Sequence, residues 1–159
     1  MQARMRNPAV IIPEAMPAIL NVFKATKKGG VPEATLELVH LRASQINGCG
    51  ACVDGGVKHA QKAGETVERL FVVSAWREAP CYTERERAAL GWTEALTRLS
   101  EGHTHESAYG ALKAHFSHEE QVKLTLMINV INGWNRLSVG FGTWIEPAAA
   151  KAAAKAAAA

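Results

Sequence analysis

Apolar residues recur along this chain at the three- to four-residue spacing of amphipathic helices, and no useful stretch alternates apolar with polar positions as a strand would. Glycine and proline interrupt the pattern and indicate where helices begin and end. Helices are predicted at about residues 13–26, 32–46, 49–63, 65–76, 84–100, 106–116 and 117–139. The pattern therefore predicts an all-α, single-domain bundle of six to seven helices.

Two of these helices carry additional signals. Thr83 is followed three residues later by Glu86, a capping box that satisfies the first free backbone donors of the helix after it. Apolar residues occupy most of the circumference of the final helix, which indicates neighbours on all sides, including another subunit. That helix also carries a polar stripe, to which we assign a structural role in packing, at Asn129, Asn132 and Asn135.

The end of the chain is nearly pure alanine and lysine, with Lys151 and Lys155 four residues apart. Such a sequence is typical of a spacer helix. We therefore divide the chain into a helical domain over residues 1–146 and an Ala/Lys-rich helical tail over residues 147–159. We interpret the tail as an engineered addition.

Charge and hydropathy exclude some partners. The formal charge is +3, of which the tail supplies two charges, and the body has no dense basic stripe, which argues against nucleic-acid binding. The apolar runs are interrupted well before the roughly 20 residues that a bilayer span requires, and the N-terminus lacks the apolar core of a signal peptide. We expect a soluble, cytoplasmic protein with no nucleic-acid or membrane partner.

The cysteines carry the most specific chemical signal. Cys49 and Cys52 are spaced C-x-x-C, whereas Cys81 stands alone and is expected to be a small buried hydrophobe. This is not a secreted disulfide framework, so the pair requires a redox or metal explanation. In the first turn of a helix the dipole and free amide donors stabilise a thiolate. Positions i and i+3 share a face, so a sulfenic acid on one sulfur can condense with the other.

The surrounding sequence is more specific than the pair alone. Glu37 lies twelve residues before the first cysteine, and the segment 37–54 resembles the core of the alkylhydroperoxidase D-like and carboxymuconolactone decarboxylase-like family. The resemblance covers nearly the whole body of the chain and continues through residues 62–65, 74–78, 84–90 and 131–136. It implies an all-helical protein that assembles as a homotrimer or homohexamer and acts as a thiol-dependent peroxidase without a cofactor.

The same resemblance implies roles for individual residues. Cys52 would attack a small organic hydroperoxide, Cys49 would resolve the oxidised sulfur, and Glu37 would belong to the proton relay that activates Cys52. Recycling would require an external dithiol reductant. We expect Glu37 to face the sulfurs, where partial burial would raise its pKa towards neutrality.

The family's relay histidine, four residues after the second cysteine, is replaced here by Gly56. Gly55 precedes it, so two adjacent glycines occupy a helix interior, each at a cost of about 0.5 to 1 kcal/mol relative to alanine. His40, one turn after Glu37, and His59, nearly two turns after Cys52, are the candidates to take the missing place. Otherwise both are ordinary surface or interface histidines.

Two classes of function follow, beside a third, a purely structural oligomer whose rigid helical tail serves for fusion or assembly. The first is an alkyl hydroperoxidase or disulfide oxidoreductase impaired by the missing histidine, because positioned proton transfer contributes typically about 10²- to 10⁴-fold. The second is an engineered oligomeric scaffold or binding protein, since Gly50 and Ala51 are also small and would open a pocket for a ligand or metal. The two cysteines with one uncertain histidine form an incomplete zinc set, so we assign no metal.

Overall fold

The computed structural model describes residues 4–5, 11–102 and 105–142. Within these ranges the chain forms helices and no β-strand, which confirms the all-α prediction. Seven α-helices are present in the described ranges: α1 (Ala15–Thr26), α2 (Glu33–Ile46), α3 (Gly50–Lys62), α4 (Val67–Val72), α5 (Glu84–Thr97), α6 (His105–His115) and α7 (His118–Phe141). The proposed tail over residues 147–159 lies outside the described residues, so the division into domain and tail stays a prediction.

The prediction for residues 65–76 is wrong in extent. Residues 65 and 66 do not belong to a helix, because the N–H of Glu65 donates to the carbonyl of Ala60 at the end of α3. The side chain of Thr66 then caps α4 by accepting a hydrogen bond from the N–H of Arg69. After only six residues α4 gives way to a 3₁₀ turn, Val73–Ala75. The predicted capping box of Thr83 and Glu86 is confirmed at the start of α5.

Helix α2 lies at the centre of the fold and is buried on nearly every side. One group of its apolar residues packs with α5, α6 and α7, and includes Leu36, Val39 and Ala43. A second group, containing Leu38 and Leu41, packs with α3, α4 and the segment after it. Because apolar neighbours surround α2 on two sides, its polar residues must find partners inside the protein.

Glu94 on α5 illustrates this requirement. Its carboxylate accepts hydrogen bonds from Arg42 of α2 at 2.7 Å, from Trp76 at 3.0 Å and from Arg77 at 2.5 Å. Burial alone would raise the pKa of Glu94, but the hydrogen bonds from Trp76, Arg77 and Arg42 hold it below the ordinary glutamate value. This ion cluster ties α2 and α5 to the segment after α4.

Several large apolar side chains remain exposed on the single chain. On α7 these are Val122, Leu126 and Val139, and on α4 the ring of Phe71 is 79% exposed. The expectation that α7 also contacts another subunit stays a prediction. None of the helices in the described ranges combines the length and apolar character that a membrane span requires.

Candidate active site

The turn between α2 and α3 fixes the position of the cysteine pair. Gly48 adopts a left-handed conformation with φ of +65°, and its N–H donates to the carbonyl of Gln45. The N–H of Cys49 donates to the carbonyl of Ser44 at 3.0 Å. These two bonds form a Schellman motif, which ends α2 with its last carbonyls satisfied. Cys49 is thereby placed at the N-cap of α3.

The predicted pairing of Cys49 and Cys52 is present. Their sulfurs are joined as a disulfide across the first turn of α3. The Sγ of Cys49 also accepts a hydrogen bond from the N–H of Cys52 at 3.3 Å, so the sulfur occupies the capping position at the positive end of the helix. Cys52 is 8% exposed and Cys49 is 1% exposed. Cys52 is therefore the more accessible of the two residues.

Glu37 is an ionised group inside the protein, and its predicted pKa is wrong in direction. The side chain, on α2, is only 1% exposed, and burial by itself would raise its pKa. However, His40 lies 3.3 Å from Oε2 and the Nζ of Lys27 donates to Oε1 at 2.7 Å. These hydrogen bonds and the charge of Lys27 hold the pKa of Glu37 below its ordinary value.

Lys27 was not among the residues that the sequence indicated. It follows α1 directly, and its ammonium group also bonds to Glu33 at 2.9 Å. Burial by itself would lower the pKa of Lys27. The hydrogen bonds to the two carboxylates outweigh this effect, so the pKa lies above the ordinary lysine value. The contact arises because α1 packs against the rest of the bundle near the start of α2, and no local spacing in the sequence reveals it.

The structure places His40 beside Gly56, the position at which the resemblance implies a relay histidine. A Cβ atom built on Gly56 would lie 3.8 Å from Cδ2 of His40. Gly56 lies one helical turn after Cys52, so both positions lie on the same side of α3. The Nδ1 of His40 faces Glu37, while its Cδ2 lies next to Gly56 of α3. His40 thus connects the buried acid with the helix that carries the cysteines.

His59 reaches the same region from α3. Its ring lies 6.3 Å, centre to centre, from the ring of His40. Donor atoms of Glu37, His40 and His59 all lie within 4.8 Å of one another. The two alternative histidines of the sequence therefore occur together, on opposite sides of the packing interface between α2 and α3.

The polar stripe of α7 binds the end of α2, just before the cysteine pair. The amide nitrogen of Asn47 donates to Oδ1 of Asn132 at 3.0 Å and to Oδ1 of Asn135 at 2.9 Å. Asn135 in turn donates to the hydroxyl of Ser44. The assigned structural role is thus supported for Asn132 and Asn135, which anchor the end of α2 to α7, whereas Asn129 is exposed.

Two further features lie apart from the cysteine pair. Cys81 is a free and exposed thiol, so the expectation of a buried residue is wrong. It follows Pro80 in an exposed turn before α5, where no apolar surface covers it. A cleft of about 560 Å³ lies between α5 and α6, and its lining includes Arg77, Arg87 and His115 but none of the predicted site residues.

Known proteins resemble this chain in sequence and in fold. The family model described as the carboxymuconolactone decarboxylase family matches residues 13–95, just over half of the 159 residues. An uncharacterized protein of Bacillus subtilis, YdfG, is 37% identical over 132 residues, which cover 83% of this chain and 90% of that protein.

The solved structures agree with these matches. A protein of unknown function from Agrobacterium tumefaciens, suggested to be an antioxidant defence protein of the AhpD type, superposes with a TM-score of 0.85 at 41% identity. The match covers 92% of this chain and 99% of that one. The debrominase Bmp8 shares the fold with a TM-score of 0.75 at 21% identity, over 88% of this chain and 75% of its own. The chain therefore belongs to the carboxymuconolactone decarboxylase family and has the fold of its alkylhydroperoxidase D-like members.

Proposed function

We propose that the protein is a thiol-dependent alkyl hydroperoxidase that reduces small organic hydroperoxides through Cys52 and Cys49, at a rate limited by the glycine at position 56. The observation that carries this proposal is the disulfide at the N-terminus of α3, next to the helix that carries an ionised, buried glutamate. Family membership and the suggested antioxidant role of the Agrobacterium relative support it.

The proposed reaction has three steps. The Cys52 thiolate attacks a hydroperoxide oxygen, so that an S–O bond forms, the O–O bond breaks and the alcohol leaves after taking up one proton. The thiol of Cys49 then attacks the resulting sulfenic acid, which forms the disulfide and releases water. Finally an external dithiol reduces this disulfide by two thiol exchanges and becomes a disulfide itself.

Proton transfer is the step in which this chain departs from its family. His40 is the group that would exchange protons at the site, because its Nδ1 faces Glu37 and its Cδ2 lies next to Gly56 of the cysteine helix. Glu37, with its lowered pKa, would remain ionised, orient the ring and stabilise the imidazolium form. We also propose a homotrimer or homohexamer, supported by the exposed apolar residues of α4 and α7.

The test is peroxide-dependent oxidation of a dithiol, followed with the unchanged chain and four variants. Cys52→Ser should abolish turnover, and His40→Ala should lower the residual rate. Gly56→His should raise the rate by at least about tenfold, since positioned proton transfer is typically worth about 10² to 10⁴. Gly55→His is the matched control, because it adds the same side chain one position away, where a Cβ meets no atom within 4 Å.

A gain in Gly56→His that disappears when Cys52 is also replaced supports the peroxidase. If turnover persists without Cys52, or if neither histidine change alters it, the assignment fails. The second candidate is then an engineered scaffold or binding protein. The two interior glycines of α3, Gly55 and Gly56, favour it because they leave space beside the helix that larger side chains would fill.

A further inference from the structure

We propose that Glu37, His40 and His59 form a binding site for one divalent transition-metal ion, with Zn²⁺ as the best match. The observation is the convergence of three donor atoms from two helices within 4.8 Å of one another. Two imidazole nitrogens and one carboxylate oxygen are a ligand set that zinc accepts while leaving its fourth position open. The site includes neither cysteine, but it shares Glu37 and His40 with the proposed proton relay.

The geometry is already close to that of a bound ion. Zinc bonds of about 2.0–2.2 Å to nitrogen and oxygen place neighbouring donors on the order of 3.4 Å apart in a tetrahedral site. The Nδ1 of His40 and Oε2 of Glu37 are 3.3 Å apart, which is close to that spacing. His59 is exposed, so its side chain is the ligand that would have to move to close the remaining distance.

The glycine at position 56 leaves room for the ion. A side chain there would start 3.8 Å from the ring of His40 and 3.7 Å from Leu41, between the two helices that supply the ligands. A histidine at this position, as the family has, would extend into that space. Removing it therefore leaves His40 and His59 facing each other across the interface.

Charge sets the expected strength of binding. The carboxylate of Glu37 attracts a cation, but Lys27 holds its other oxygen, Oε1, at 2.7 Å. The ammonium group lies close enough to repel an ion on Oε2. We therefore expect moderate affinity in the unchanged chain, and binding that is tighter by about tenfold in Lys27→Met.

The experiment measures binding without turnover, so its outcome does not depend on the proposed peroxidase activity. Zn²⁺ is titrated calorimetrically into a parent in which Cys49, Cys52 and Cys81 are all serine, which removes every thiolate ligand of the chain. One ion per chain is expected. His59→Ala and His40→Ala should each weaken binding by at least about tenfold, and the exposed His118→Ala is the matched control that should not. In the same parent, Co²⁺ should give the visible absorption of a tetrahedral site.

Three results would overturn the site. They are binding that occurs only when the cysteines are present, affinity that is unchanged in His59→Ala, and no uptake of Zn²⁺ by the parent. Because His59 is exposed, its replacement leaves the fold intact, and a circular dichroism spectrum of each variant verifies this. Where the proposed peroxidase also holds, bound Zn²⁺ would inhibit it, since the ion takes Glu37 and His40 from the relay.

Discussion

Gly48 joins the buried helix α2 to the cysteine-bearing helix α3 through a single left-handed residue. Its φ of +65° allows both bonds of the Schellman motif to form, and the second of these orients Cys49. The sequence Asn47-Gly48 indicated a helix end at this point, because glycine adopts this conformation without strain. The position of the first sulfur therefore depends on a backbone angle rather than on side-chain packing.

Replacing Gly48 by alanine should lower the free energy of unfolding by about 1 kcal/mol, because an L-residue is strained in the left-handed region. No atom lies within 4 Å of the added Cβ, so backbone strain is the cause that is tested. Urea unfolding gives the measurement. Gly110→Ala, in the exposed interior of α6, should instead stabilise the protein by about 0.5–1 kcal/mol. Equal effects at the two positions would contradict the argument.

The position of Glu37 could be predicted from the sequence, but its pKa could not. Its place before the cysteines indicated a site residue, and its burial was expected to raise its pKa. The pKa is lowered instead, because Lys27 and His40 stand beside the carboxylate. The sequence places His40 one helical turn after Glu37, so its proximity could be predicted. Lys27 contacts Glu37 only through tertiary packing. A pKa depends on such partners, and their positions are not encoded in local spacing.

At the scale of helices, boundaries with chemical signals were predictable and the others were not. The capping box of α5 and the start of α3 at the cysteines follow from local sequence, and both are confirmed. The extent of α4 was overestimated, because the chain from 65 to 76 has helical periodicity throughout but turns into a 3₁₀ segment before Pro80. The approach of His59 to His40 was not foreseen, since it depends on how α3 packs against α2.

The link between α2 and α7 through Asn47 can be tested at this scale. Asn47→Asp removes both N–H donors and places a negative charge against the side-chain oxygens of Asn132 and Asn135, which are buried. Unsatisfied buried acceptors cost about 1–3 kcal/mol each, so we expect a loss of about 2 kcal/mol in thermal or urea unfolding. The exposed Asn129→Asp on the same helix serves as control and should change stability by less than about 0.5 kcal/mol. Equal losses in both variants would contradict the network.

For the whole molecule, the central position of α2 explains why so many charges are paired inside a small protein. Its surface is covered by other helices, so that Arg42 and Glu37 each meet an opposite charge from a neighbouring element. Removing one member of a buried pair is costly because the other remains uncompensated. The acidic members of these pairs are Glu37 and Glu94, so the free energy of unfolding should depend on pH through their carboxylates.

Glu94 provides the test. Its pKa in the folded state is lowered, so its contribution to stability is complete above the pKa of the unfolded chain and is lost as the pH falls through the folded value. At neutral pH, Glu94→Gln should cost about 3 kcal/mol, since Arg42 stays buried without its partner. The difference in free energy of unfolding between the two proteins should shrink as the pH falls below about 4.3, the ordinary glutamate pKa.

Glu37 and Glu120 also have lowered pKa values, but both proteins contain them, so they cancel in this difference. The exposed Glu68→Gln is the control, and its stability should follow that of the unchanged chain across the same range. If the difference in free energy of unfolding between Glu94→Gln and the unchanged chain stays constant down to pH 3, the partners of Glu94 do not act through its charge.

The exposed thiol of Cys81 is an internal reference against which the oxidation state of Cys49 and Cys52 can be measured. When Cys49 and Cys52 are joined, a thiol-labelling reagent should find one reactive group per chain, and after full reduction and unfolding it should find three. Each label adds a known mass, so an intact-mass spectrum would report the oxidised fraction of the pair directly. The same thiol can join two chains in air, and Cys81→Ser should then remove any covalent dimer on a non-reducing gel while leaving the disulfide of α3 untouched.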